Sequence, residues 1–172
     1  MNNLNSYSLK FLLFLVICLI SGCDKPSSKD IFYEQISSKA FDDIVQDVEF
    51  IVAEYNFRIT TRLHIGDAIQ DRGVSDFPRN EVILFCNLTL AEKMLLIEPA
   101  YVNYCPYKIA IGQVGDKNII STRFLPENTG KPKLDDIAKK INKIIKSMIE
   151  YAASDDPFSA QPLNKEEINY DE

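Results

Sequence analysis

Histidine occurs once in these 172 residues, at His64. A Ser-His-Asp set or a histidine-based metal site therefore has one imidazole to draw on. Neither Cys86, Cys105 nor the scattered carboxylates stand at a ligand or nucleophile spacing from it. No C-x-x-C pair is present, which argues against thioredoxin-like exchange. Glycine is scarce, with six in the whole chain, and "GDAIQDRG" (residues 66–73) lacks the ordered glycines of a phosphate loop. Basic clusters are missing too. Nineteen Lys and Arg face 25 Asp and Glu, a net charge of −6, which excludes the electrostatic footprint of a nucleic-acid binder. No apolar run reaches the roughly 20 residues that a lasting membrane span requires. With no paired-carboxylate or nucleotide-binding pattern either, the sequence nominates no catalytic residue, no metal and no cofactor.

What is present begins at the N-terminus. "MNNLNSYSLK" is polar with one charged side chain, Lys10, and "FLLFLVICLI" (Phe11–Ile20) follows without a charge. As a helix that run spans roughly 15 Å, half a hydrocarbon slab. A basic start, a short apolar core and a small-residue exit describe a secretory signal peptide over residues 1–22. "LISG" before Cys23 resembles the lipobox of bacterial lipoproteins, in which the cysteine is acylated and becomes the mature N-terminus. The resemblance implies lipidation at Cys23 and a membrane anchor of more than one acyl chain, as stable anchoring requires. Asp24 is similar to the signal that retains some lipoproteins in the inner membrane, facing the periplasm. Loss of residues 1–22 takes Lys10 with it and leaves 18 basic against 25 acidic side chains, a net charge of −7.

Residues 23–30 read as a lipidated N-terminus and a short polar linker, residues 31–153 as one globular domain, and residues 154–172 as an acidic, proline-broken disordered tail. Within the domain, "IFYEQIS" is a strand. Phe41, Ile44, Val45, Val48, Ile51, Val52 and Tyr55 then recur at helical spacing, with Ser38 the expected N-cap. "FRITTRLH" alternates, which places Phe57, Ile59 and Leu63 on one face and Arg58, Arg62 and His64 on the other. "EVILFCN" is a buried strand, and "TLAEKMLLI" a short helix with a capping-box pattern at Thr89 and Glu92. "YKIAIGQVG" and "NIISTRF" pair as a hairpin across Gly115 to Lys117. A final helix carries an apolar stripe from Leu134 to Ala152. The expected fold class is α+β, one antiparallel sheet covered on one face by two long helices in a β-α-β-rich order.

Four pieces stand in family order between Asp42 and Leu125: "YNF" closing the first helix, "HIGDAI", "FCNLTLAEKML", and "IEPAYVNYCPYKIAI" leading into the hairpin. In these the chain resembles the bacterial domain-of-unknown-function family 302. The resemblance implies an α+β domain, a homodimer as one option, and no catalytic residues to transfer.

Two cysteines remain in the domain, in a compartment that permits disulfides. Cys86 ends one strand and Cys105 precedes another. A structural disulfide, two buried thiols and a redox-active pair are the three readings of that placement. Arg58, Arg62 and His64 on one strand face could receive an anion, against the plainer reading of a solvated face. Lys139, Lys140, Lys143 and Lys146 form the wet side of the last helix or lean on anionic lipid beside the tether. Asn87, in an N-x-T triplet, caps backbone groups rather than carrying a glycan. The expected function is that of a membrane-anchored envelope lipoprotein whose domain binds an envelope protein or a small ligand without catalysis. The alternative is thiol-redox or sulfur handling through Cys86 and Cys105.

Overall fold

The computed structural model describes residues 32–156; the signal peptide, Cys23, the linker and most of the acidic tail lie outside the described residues. The chain runs β1 (Phe32–Ser37), α1 (Phe41–Glu54), β2 (Arg58–His64), α2 (Ile65–Gln70), β3 (Asn80–Cys86) and α3 (Leu88–Ile97). A short 3-10 helix (Pro99–Tyr104), β4 (Tyr107–Val114), β5 (Lys117–Arg123) and α4 (Pro132–Ala153) complete it. The strands form one sheet in the order β1-β5-β4-β3-β2, every neighbouring pair antiparallel.

Period decides which side of the sheet is filled. In β3 Glu81, Ile83 and Phe85 are buried, and in β4 Tyr107, Ile109 and Ile111, every second residue, while Cys86 at the end of β3 is buried on the other side. Helix α1 lays Ile44, Val48, Ile51 and Val52 against them, and α4 adds Leu134, Ala138, Ile141, Ile145 and Met148. The two helices touch through Phe50 stacked on Tyr151 and a hydrogen bond between Tyr55 Oη and Ser147 Oγ at 2.8 Å. Each fully buried Ile or Leu contributes about 1.5–3 kcal/mol of transfer free energy. Phe57, Phe85 and Tyr107 pack edge to face or tilted at centroid distances of 5.7 to 6.1 Å and close one end of this core. The opposite sheet face is less covered. There Ile65, Ile69, Phe77, Val82, Val114 and Ile119 line an apolar hollow of about 390 Å³.

Three local expectations are corrected. Helix α1 starts at Phe41 with Ala40 as N-cap and no side-chain cap. Ser37, buried at the end of β1, takes the turn by accepting from the Lys39 N–H, so Ser38 does not cap. Helix α3 starts one residue after β3, so its cap is Asn87 rather than Thr89. The third correction concerns β2, where two residues oppose one between Ile59 and Thr61. This bulge shifts the alternation by one residue. Ile59, Arg62 and His64 therefore pair with Phe85, Ile83 and Glu81 on the helix side, while Arg58 and Leu63 pair with Cys86 and Val82 on the other. Arg58 does not share a face with Arg62 and His64.

Antiparallel register also sorts the connections between the two ends of the sheet. Phe32 stands opposite Arg123, Phe85 opposite Tyr107, and Arg58 opposite Cys86. The entry of the chain, α3, the 3-10 helix and the start of α4 thus gather at one end, here the entry end. At the far end lie α2, the β4–β5 turn with Gly115 at φ +63°, and the start of α1. Gly66 belongs to the far end and has no room for a side chain: a Cβ would stand 2.7 Å from the Asn80 backbone nitrogen.

Candidate functional site

The sequence nominated five domain residues, and the fold divides them between the two ends. At the entry end Cys86 and Cys105 are joined as a disulfide, with Cα atoms 6.3 Å apart and a sequence separation of 19. A bonded pair is what both the structural-disulfide reading and the redox-pair reading expect. Local chemistry brings the two strands' ends together. Asn56, at φ +57°, ends α1 in the left-handed region that asparagine tolerates, and the Phe57 N–H returns to Val52 O at 3.0 Å. Asn87, buried behind Cys86, then uses both ends of its amide. Its Oδ1 accepts from the Leu90 N–H at 3.1 Å, capping α3, and its Nδ2 donates to Asn56 O at 3.1 Å. A cis Cys105–Pro106 peptide turns the chain into β4.

Beside the disulfide opens a polar cleft of about 410 Å³, lined by Ala53, Asn56, Arg58, Cys86, Asn87 and Thr89 among others. Arg58, separated from its expected companions by the bulge, is the cation of this cleft. Cys86, buried, lines the cleft, and its partner Cys105 is half-buried beyond it.

Arg62 and His64 enter a different group at the far end. Glu81 is 3% exposed, and its Oε1 accepts from Arg62 Nε at 2.6 Å and Nη2 at 2.5 Å. His64 Nδ1 lies 3.3 Å from the other carboxylate oxygen, and Arg62 Nη1 also donates to Glu49 of α1 at 2.8 Å. Burial pulls the Arg62 guanidinium down, but Glu81 and Glu49 outweigh it and hold the group above its ordinary value. The carboxylates already occupy the guanidinium here, so an incoming anion would meet like charge. The expectation of an anion site on Arg58, Arg62 and His64 together is thus corrected: two of the three are ion-pair partners of Glu81. Glu81 and Glu49 went unrecognised in the sequence. Glu81 sits in register with Ile83 and Phe85, and that alternation was the signal for an inward-facing acid.

His64 and the disulfide lie at opposite ends of the β2–β3 pair, six strand positions apart. A Cys-His nucleophile is not assembled. Among the described residues, no group of three or more His, Cys, Asp and Glu could hold a metal ion, and no helix is long and apolar enough to cross a membrane.

Two further polar groups anchor the segment that leads into α4. Buried Asn142 accepts from the Leu125 N–H and donates to Leu125 O, both at 2.9 Å. Asp135 Oδ1 accepts from the Thr129 hydroxyl at 2.6 Å and N–H at 2.9 Å, and these bonds hold its carboxyl below the usual carboxylate range. Tyr107, by contrast, buries a phenol oxygen that has no hydrogen-bond partner among the described residues, and burial raises its pKa.

No curated protein matches the chain. Among solved structures it is similar to a crystal structure of the uncharacterized conserved protein DUF302 from Bacillus stearothermophilus, with a TM-score of 0.60 at 16% identity. The alignment covers 72% of this chain and 95% of that one, a likeness of fold alone. The family described as "Domain of unknown function DUF302" matches residues 33–152, from the first strand to the end of the last helix. The chain belongs to the DUF302 family.

Proposed function

We propose that this protein is a lipid-anchored envelope protein, held to the periplasmic face of the membrane through Cys23, whose DUF302 domain binds a partner protein or small ligand without catalysis. The observation that supports the anchor is the charge-free segment Phe11–Ile20 followed at once by "LISG" and Cys23. The fold begins at Phe32, nine residues on, so a lipid on Cys23 would hold the domain within about 30 Å of the bilayer. The binding half of the reading draws on the two concavities. The entry-end cleft offers Arg58 and amide groups for a polar or anionic ligand, and the hollow on the sheet offers an apolar floor.

Labelling cells with radioactive palmitate tests the anchor. The wild-type chain is expected to incorporate label and a Cys23→Ser chain to incorporate none. An unlabelled wild-type chain would overturn the anchored reading.

One observation favours a second reading, thiol-redox work: Cys86, bonded to Cys105, lines an open cleft from which a thiol would approach. In cells, alkylation before reduction separates the two. A pair that is fully protected is a structural staple, and a mixture of free and bonded thiols is a working couple.

A further inference from the structure

The entry end carries an uncommon surface. Leu88 is 80% exposed, Leu96 81% and Val102 57%. Leu88 and Leu96 lie eight residues apart on α3 and so share its outward side. Single exposed leucines are ordinary, but three large apolar side chains in one short lobe need a reason. Beside Leu96, α3 and the first turns of α4 enclose an open groove of about 620 Å³. Its floor is Leu96, Ile97 and Ile137, and its rim is Lys93, Lys133, Lys140 and one acid, Asp136. Asp136 lies 3.6 Å from Lys139, and Glu92 is the acid on the exposed side of α3. The far end also exposes large apolar side chains, Ile36, Val74 and Val114 among them, but they stand among the exposed acids Asp67, Asp71, Asp76 and Asp116, with Arg72 and Lys117 as the exposed cations between them.

We infer that this lobe is a docking face for an anionic lipid bilayer, with Leu88, Leu96 and Val102 entering the headgroup boundary and Lys93, Lys133 and Lys140 meeting lipid phosphates. Three features of the molecule specify a membrane rather than another occupant. The strand register puts Phe32, where the chain arrives from Cys23, at this same end of the sheet. An apolar floor of Leu96, Ile97 and Ile137 rimmed by Lys93, Lys133 and Lys140 is the pairing of apolar and basic side chains that settles at a bilayer interface. The rim gathers three lysines in one place on a chain of net charge −6, the sign that anionic lipid attracts. The inference rests on the anchored reading, since without a lipid on Cys23 nothing brings this end to a membrane. It adds an orientation: the domain stands on its entry end, with the β4–β5 turn pointing away.

The test uses the full-length lipoprotein, purified in detergent and reconstituted into vesicles of phosphatidylethanolamine and phosphatidylglycerol. An environment-sensitive fluorophore is placed on a Leu96→Cys variant and, as control, on an Asp116→Cys variant at the far turn. Both positions are exposed, so neither substitution endangers folding. Nitroxides carried on the lipid are expected to quench the probe at 96 at least ~3-fold more strongly than that at 116. The difference should disappear when Lys93, Lys133 and Lys140 are changed to Glu, because each lysine near an anionic surface contributes about a five-fold factor. Equal quenching at the two positions, on a chain whose mass shows an acylated Cys23, would overturn the docking face and leave the anchor standing. A chain without acyl groups would overturn the anchor and the docking face with it. A probe at 96 that is shielded in native membranes but exposed in vesicles holding no other protein would put a protein partner there and overturn the lipid assignment.

Discussion

The two ends of the sheet solve the same problem, finishing five strands, with different chemistry. At the entry end the finish is chiefly covalent and amide-based, with one ion pair, Lys131 to Glu98, beside it: a disulfide ties β3 to the start of β4, and Asn56, Asn87 and Asn142 hold the turns through backbone hydrogen bonds. At the far end the finish is ionic, with Glu81 buried between Arg62 and His64, Arg62 reaching Glu49, and Arg79 joining Asp42 at 2.7 Å beneath the Phe41 ring. Neutral bonds and a disulfide are indifferent to salt and to mild acid, whereas ion pairs are not. The far end, among exposed carboxylates, can use ion pairs.

The largest expected effect comes from the entry end. Replacing Cys86 and Cys105 together by alanine opens a 19-residue loop and should cost about 3 kcal/mol in urea unfolding at neutral pH. A loss under 1 kcal/mol would mean that the strand ends are held by the amides alone. Next is Glu81→Ala at the far end, which leaves Arg62 with one carboxylate and His64 with none. About 2 kcal/mol is expected, below the range for fully buried pairs because Arg62 is one-third exposed. The same variant should flatten the dependence of stability on salt, while the cysteine double variant should keep it.

A smaller effect of opposite sign is expected at the core beneath the entry end. Tyr107→Phe removes a buried phenol oxygen without a partner and should stabilise by about 1 kcal/mol, read as a rise in the urea midpoint at unchanged slope. Destabilisation would reveal a partner for that oxygen. The smallest effect is in pH. Asp42, held down by Arg79, Asp135, held down by Thr129, and Glu98, held down by Lys131, all have carboxyls below their ordinary values in the fold. Their contribution is present above the unfolded carboxylate range near pH 4 and is lost as pH falls through the depressed folded values. Acid titration should therefore lower stability below about pH 4 and leave it level from pH 5 to 7. Asp135→Asn, which keeps an acceptor for Thr129, should shallow that fall.

Much of the architecture was readable from periodicity. The stripe of α4, the helix from Phe41 and the β4–β5 hairpin declare themselves because their repeats of 3.6 and 2 run uninterrupted. What escaped was set by tertiary contacts. The bulge at Thr60 is fixed by the sheet, with Thr60 Oγ1 donating to Leu84 O at 3.1 Å, and no residue type announces it. It alone separated Arg58 from Arg62 and His64. Asn142 hides inside the apolar stripe of α4 because its polarity is spent on Leu125, a partner 17 residues away. The cysteine pair was legible as a set of options; the bond between Cys86 and Cys105 is what a structural staple and a redox couple share.

The measurement closest to the central claim is the intact mass of the protein extracted from membranes, with thiols alkylated before and after reduction. The account predicts a chain that begins at Cys23, carries acyl groups, and takes up alkylating agent at Cys86 and Cys105 only after reduction. A chain that retains residues 1–22, or one that begins at Cys23 without lipid, would contradict it.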